Sequence, residues 1–137
     1  VPGIGVGNVV GQLTAWNYYQ TLDTTANKKF VADFQAKFGA DRHTSDPMEA
    51  AYNSVYLYKA MVEKAGSFDP EKVIAASGGV SFAAPEGQVT VNGENHHVAK
   101  TFLMGQIGAD GLIKVIGQPG SPIQPDPYLK SYPWLKG

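Results

Sequence analysis

Two acidic side chains, Asp46 and Glu49, stand at the start of the most regular stretch of the chain, TSDPMEAAYNSVYLYKAMVEKAG (44–66). Helix chemistry can account for both. An aspartate before Pro47 can cap the free N–H groups of the first turn, and a glutamate three residues later can complete a capping box. A helix start is also where free amides and the positive end of the helix dipole meet, so it can equally face a ligand. Both interpretations stay open at this point.

Three aromatic residues lie close together in LTAWNYYQTLD, namely Trp16, Tyr18 and Tyr19. Aromatic side chains can line a small-molecule pocket because they combine a flat apolar body with a polar tip. Packing in the core explains the same cluster, and the sequence alone favours that explanation.

Catalysis and metal binding find no support in the spacing of the remaining residues. His96 and His97 are adjacent, so on a strand they point to opposite faces, and His43 lies far away in the sequence. No G-x-S-x-G motif is present. The glycine-rich start, VPGIGVGNVVG, fails the dinucleotide pattern, because Asn8 or Val10 falls where the third glycine belongs. We predict no catalytic residue, no metal and no cofactor, and only a short strand and a connector at this start.

Helical patterns dominate the first half of the chain. TTANKKFVADFQAKFG predicts an amphipathic helix with a threonine cap and a stop at Gly39. The next helix begins near Asp46 and ends at Gly66, and FDPEKVIAASGG predicts a third, capped by Asp69. For the second helix we expect burial over a broad arc. Leu57 and Met61 add apolar surface on a face beside the residues that recur with helical spacing, namely Met48, Ala51, Tyr52, Val55, Tyr58, Val62 and Ala65.

Strand patterns follow from Ser81 onward. GQVTV, HHVAKTFLMGQI and LIKVIG predict strands, with turns at NGEN and GADG. The segment 118–137 contains five prolines and predicts an extended surface tail. We expect a single segment, 1–137, that would form an α+β arrangement if it stood alone.

The composition restricts the class of protein. The chain has 137 residues, 11 basic against 12 acidic side chains and no cysteine. The balanced charge gives no reason to expect binding to nucleic acid, and no apolar run is long enough for a membrane helix. The chain begins at Val1 rather than at methionine. We expect that a leader was removed or that the chain is a piece of a longer protein.

Several ordered motifs resemble one family. Asp46-Pro47-Met48-Glu49-Ala50, Ala84-Pro85, Asn95-His96-His97 and Ala109-Asp110-Gly111 resemble the C-terminal part of urea- and short-chain-amide-binding proteins. These are substrate-binding components of ABC importers in the branched-chain amino-acid-binding, type I periplasmic binding protein superfamily. The similarity runs from about Gly11 to Tyr128, which corresponds to the last third of such a protein.

The resemblance implies an α/β fold with two lobes that close around a ligand, of which this chain would be a part. It implies a periplasmic location, a small neutral polar ligand such as urea or a short amide, and ABC permease subunits as membrane partners. A ligand rich in N–H groups needs acceptors. We therefore expect Asp46, then Glu49, as acceptors, with Trp16 and Tyr18 as an aromatic wall.

Two other hypotheses remain. The chain could be a stand-alone binding or oligomerising module that has lost solute binding, with its apolar surplus forming a self-interface. In the solute-binding hypothesis, by contrast, a missing N-terminal lobe segment completes the pocket. An amide-hydrolysing enzyme is the weakest alternative, because no nucleophile or metal set is visible.

Overall fold

The computed structural model of the chain describes residues 3–132 and residue 134. Within them the chain forms three α-helices and six strands, after a short 3-10 helix at Val6–Asn8. In chain order these are β1 (Leu13–Trp16), α1 (Thr25–Phe38), α2 (Asp46–Ala65), α3 (Pro70–Ala76), β2 (Ser81–Ala84), β3 (Gly87–Val91), β4 (Val98–Ala99), β5 (Leu103–Ile107) and β6 (Ile113–Gly117).

The strands form two separate antiparallel sheets of three strands each. The first sheet has the order β1-β5-β6, and the second has the order β2-β3-β4. This confirms the predicted mixture of helices in the first half and antiparallel strands in the second. The exception is β1, which lies in the first half and pairs with β5, so the two halves of the chain share one sheet.

The helix boundaries follow the predicted local chemistry for α1 and α3. The Thr24 hydroxyl accepts a hydrogen bond from the Asn27 N–H, and the Asp69 carboxylate accepts one from the Lys72 N–H. Pro70 occupies the first turn of α3, where no N–H is needed. α2 ends at Gly66, whose φ of 60° and ψ of 24° place it in the left-handed region.

The predicted burial of α2 is wrong for Met48, Val55 and Tyr58, which are exposed. It is confirmed for Leu57, which is buried together with Glu49 and Asn53. The helix carries apolar side chains on two faces, and the second sheet packs on the face that includes Leu57. The core there consists of Leu57, Val80, Ala84, Val89 and Val91, with Ala60, Met61, Phe82 and Val98 packed against it.

The predicted strand HHVAKTFLMGQI is divided between the two sheets. Its first part, β4, pairs with β3, and its second part, β5, pairs with β1 and β6. Residues 100–102 carry the chain from one sheet to the other. The following turn, 108–111, is closed by hydrogen bonds from the Gly108 N–H to the Leu112 carbonyl and from the Gly111 N–H to the Gly108 carbonyl.

The two ends of the chain carry little regular structure. The short strand expected within residues 1–11 is not found in the described part, residues 3–11, where the 3-10 helix lies instead. In the tail, residues 118–132 make one isolated bridge, between Ile123 and Lys100. Val1, Pro2, Pro133 and residues 135–137 lie outside the described residues, and the boundary of the tail at residue 118 stays a prediction.

Candidate functional site

A cavity of about 330 Å³ opens between the end of β1, the start of α2 and the turn before β6. Residues 16 and 18–21 form one wall, residues 43–47 form another, and residues 111–113 close the third side. Its lining includes three of the four site residues expected from the sequence, namely Trp16, Tyr18 and Asp46. The fourth, Glu49, does not line it.

Asp46 joins two walls of this cavity. Its Oδ2 atom accepts hydrogen bonds from the Asn17 and Tyr18 N–H groups, each at 3.0 Å. These bonds connect the first turn of α2 to the segment after β1, across 28 or 29 residues of sequence. The Oδ1 atom accepts no hydrogen bond from the described residues. Asp46 therefore both fixes the wall and offers one acceptor at the cavity.

The predicted capping role of Asp46 is wrong. The residue in the cap position is Ser45, whose backbone is extended, and Asp46 is the first residue of the helix itself. Ser45 makes no side-chain cap bond. The aspartate finds two free amides outside the helix, and these provide its partners in place of the helical N–H groups. The cavity therefore lies beside a helix start whose cap residue, Ser45, makes no capping bond within the described part of the chain.

The predicted capping box is also wrong, because Glu49 turns into the protein. It is fully buried, and its Oε1 atom accepts hydrogen bonds from the Asn53 amide at 2.7 Å and from the Glu86 N–H at 3.2 Å. Burial raises its pKa, although these hydrogen bonds oppose the rise. Glu49 thus belongs to a polar cluster behind the cavity wall.

The two expected aromatic residues differ in their exposure. Trp16 is 50% exposed, so its ring is available to a ligand, whereas Tyr18 is only 1% exposed. The Tyr18 hydroxyl donates to Asn27 Oδ1 at 2.7 Å and shares a hydrogen bond with Thr44 Oγ1 at 2.8 Å. Burial raises the pKa of Tyr18 to about 12. Tyr18 therefore supports the wall, and Trp16 offers the open aromatic face.

The residue that sequence analysis missed is Asn27, which is 1% exposed. Its Nδ2 atom donates to the Gln20 carbonyl at 2.9 Å and to the Leu22 carbonyl at 2.8 Å, while Oδ1 accepts from Tyr18. One amide thus holds the whole segment 18–22 against α1. A signal was present, because Asn27 lies three residues before Phe30 and so falls on the buried face of α1.

The three histidines have separate partners. His43 Nδ1 lies 3.2 Å from the Gln20 amide, His96 Nδ1 lies 3.0 Å from Ser77 Oγ, and His97 Nδ1 lies 2.9 Å from the Asn95 carbonyl. Within residues 3–132 and residue 134, no three His, Asp or Glu side chains come together in a way that could hold a metal ion. In the same part of the chain, no helix has the length and apolar character needed to cross a membrane.

Comparison with known proteins identifies this fold as a segment of a type I periplasmic binding protein. The family model described as "Periplasmic binding protein domain" matches residues 1–133. The chain belongs to this family.

Three relatives illustrate the similarity. The chain is 27% identical to "Leu/Ile/Val-binding protein homolog 6" of Brucella abortus over 78% of this chain and 27% of that protein. It is 25% identical to "Limonene hydroxylase" of Geobacillus stearothermophilus over 92% of this chain and 23% of that protein. A solved solute-binding protein of an ABC transporter from R. palustris, in complex with 4-hydroxybenzoate, superposes with a TM-score of 0.78 at 28% identity. That match covers 96% of this chain and 36% of the solved one. The chain thus spans between about a quarter and a third of these relatives.

Proposed function

We propose that the chain is part of the solute-binding component of an ABC importer, and that the cavity beside Asp46 forms one wall of its ligand site. The observation that carries this proposal is the placement of Asp46. One of its oxygens locks two walls together, and the other has no partner among the described residues. The family match over residues 1–133 and the 28% identical solute-binding structure support the same conclusion.

The proposed ligand is urea or a short-chain amide. The cavity lining includes Asp46 but no lysine or arginine from the described residues, so this wall suits a neutral molecule that donates N–H groups. Trp16 adds an exposed aromatic face for a flat amide. The ordered motifs that resemble urea-binding proteins agree with this chemistry.

A second candidate is an aromatic acid, because the R. palustris relative was solved with 4-hydroxybenzoate. Its ring could stack on Trp16, and its phenolic hydroxyl could donate to Asp46. The carboxylate of such a ligand would need a cation, and the described residues that line this wall include no lysine or arginine.

The wider role follows from the same proposal. The solute-binding component would work in the periplasm and deliver its ligand to permease subunits in the membrane, without a chemical step. The relative named limonene hydroxylase shares 25% identity, and this chain spans only 23% of it, so it gives little support for an enzyme. A stand-alone oligomerising module remains the rival hypothesis. It predicts a stable oligomer that ignores amides.

The test is a titration of the ¹⁵N-labelled 137-residue chain with urea, acetamide, 4-hydroxybenzoate and leucine, followed by NMR. We expect the amides to produce the largest shifts at the N–H groups of Asn17 and Tyr18. Replacing Asp46 with asparagine should weaken binding by about fivefold to tenfold, which corresponds to the loss of a charged acceptor of about 1 kcal/mol.

Asp126→Asn is the matched control. Asp126 also accepts backbone hydrogen bonds, from the Lys130 and Ser131 N–H groups, but it lies in the exposed tail and away from the cavity. This variant should bind like the wild type. A saturable response to 4-hydroxybenzoate alone would favour the aromatic acid. Shifts that avoid Asn17 and Tyr18, or equal binding by both variants, would contradict the proposed site.

A further inference from the structure

Two glutamate side chains lie buried together behind the cavity. Glu49 of α2 is fully buried, and the side chain of Glu86, in the turn between β2 and β3, has no exposed surface. The Asn53 amide contacts both carboxyl groups, with Nδ2 at 2.7 Å from Glu49 Oε1 and at 3.3 Å from Glu86 Oε1. The Glu86 N–H also donates to Glu49 Oε1. Two acids from distant parts of the sequence therefore share one amide.

One cation faces this pair. Lys100 Nζ lies 2.9 Å from Glu86 Oε1, and the lysine side chain is 24% exposed. If both carboxyl groups were ionised, two negative charges would face one ammonium group in a buried place. Burying an uncompensated charge costs far more than burying a neutral acid. The charge count therefore favours one neutral carboxyl group.

The hydrogen-bond count leads to the same conclusion. Three buried acceptor atoms of the cluster have no hydrogen-bond partner among the described residues, namely Glu49 Oε2, Asn53 Oδ1 and Glu86 Oε2. Unpartnered buried polar atoms are rare in folded proteins, and each indicates a missing donor. A carboxylic acid differs from a carboxylate in having one O–H donor. A single proton on this pair would turn one of these oxygens into a donor, from which a second one could accept a hydrogen bond.

We propose that Glu49 and Glu86 share one proton below neutral pH, and that this proton fastens the first turns of α2 to the turn after β2. Glu49 lies three residues after Asp46 on the same helix, so the shared proton also holds the cavity acceptor in position. Deprotonation would place two carboxylates against each other and loosen this attachment. The start of α2 would then respond to pH.

The surrounding charges agree with this inference. Lys100 approaches from the end of β4, Asp46 lies at the start of α2, and Tyr18 approaches from the segment after β1. The pKa of Glu86 is raised to about 7, chiefly by burial, which Lys100 opposes and to which the negative charges of Glu49 and Asp46 add. Burial raises the pKa of Glu49 as well. The two groups titrate as a pair, so the shared proton belongs to both.

The test is a pH titration by NMR of the 137-residue chain labelled with ¹³C at the glutamate carboxyl carbons. Glu49→Gln and Glu86→Gln identify the two signals, and Glu94→Gln, in the exposed turn at residues 93–95, is the matched control. We expect a carboxyl signal of the pair to change with a midpoint near the Glu86 pKa of about 7. The N–H signals of Asn17 and Tyr18 should shift with the same midpoint, and this shift should vanish in the Glu86→Gln variant.

Two results would overturn the proposal. If both carboxyl signals titrate in the ordinary range of about 4 to 5, no proton is shared just below neutral pH. If a raised midpoint is found but the N–H signals of Asn17 and Tyr18 do not follow it, the proton does not hold the start of α2. The wild-type titration gives the first result by itself, so the test remains decisive even if a glutamine variant does not fold.

Discussion

Replacing Asn27 with alanine tests whether one buried amide holds the cavity wall against α1. The substitution would leave the Gln20 and Leu22 carbonyls without their donor and would remove one of the two partners of the Tyr18 hydroxyl. Losing each buried partner costs about 1 kcal/mol at the lower end of the usual range. Alanine favours a helix by about half of that amount over asparagine. We therefore expect the free energy of unfolding to fall by about 2 to 3 kcal/mol.

The assay is equilibrium unfolding of the 137-residue chain in guanidinium chloride, since urea is a candidate ligand. Lys28→Ala is the matched control, because Lys28 is the next residue of α1 and its exposed side chain pairs only with the exposed Asp23 among the described residues. This control should stay within about 0.5 kcal/mol of the wild type. Asn27→Asp keeps the size of the side chain, but it replaces the N–H donor that faces two carbonyls with a carboxylate oxygen, which is an acceptor. It should destabilise at least as much as alanine.

The reasoning would be refuted if Asn27→Ala were no more destabilised than Lys28→Ala. It would also be refuted if Asn27→Asp were tolerated, since side-chain volume would then matter more than the donor. A supporting result has a second part. The N–H signals of residues 18–22 should move in the Asn27→Ala variant under conditions in which the chain remains folded.

Two further predictions concern stability. The pKa of Glu86 is about 7 in the folded chain, against an ordinary value of 4.5. Between these two pH values the folded chain therefore binds more protons than the unfolded chain. The free energy of unfolding should fall by about 3 kcal/mol as the pH rises through this window. Glu86→Gln should remove this fall, which thermal melts at about pH 5 and about pH 8 would measure. If the melting temperatures of the wild type and the variant changed equally between the two pH values, the prediction would be contradicted. Gly105→Ala should destabilise by about 1 to 3 kcal/mol, because the added methyl group would contact Ile113 and lie 2.9 Å from the Tyr19 ring, both in the cavity wall. The control in a melting experiment is Gly117→Ala, because its methyl group would lie 3.8 Å from the nearest neighbour, Met104. Equal losses of stability in the two alanine variants would contradict the close approach at Gly105.

Local chemistry predicted most of the elements of this fold. Thr24 and Asp69 cap their helices as expected, because capping depends on residues only three positions apart. Pairing across the sheets was harder to predict. β1 has only four residues, and its partner β5 lies about 90 residues away, so no pattern within the chain indicated that the two halves share one sheet.

The location of the ligand site stays a prediction, and the contacts of its residues differ from those expected. The start of α2 lines a cavity together with Trp16. The acids were assigned to the helix because Asp46 and Glu49 have the spacing of a capping box. The structure instead gives Asp46 two amides from a distant segment and gives Glu49 a buried partner beyond β2. Spacing along one helix cannot reveal such partners.

The sequence did contain one signal of these buried contacts, namely polar residues on otherwise apolar helix faces. Asn27 precedes Phe30 on the buried face of α1, and Glu49 and Asn53 precede Leu57 on the buried face of α2 at intervals of four residues. A polar side chain in such a place must find a hydrogen-bond partner, since leaving it unpaired is costly. The partners of Asn27 belong to the cavity wall. Glu49 and Asn53 both find a partner in Glu86. Under the proposed function, the Asp46 carboxylate depends on this buried polar layer behind it, and we expect changes in the layer to alter binding without touching the ligand.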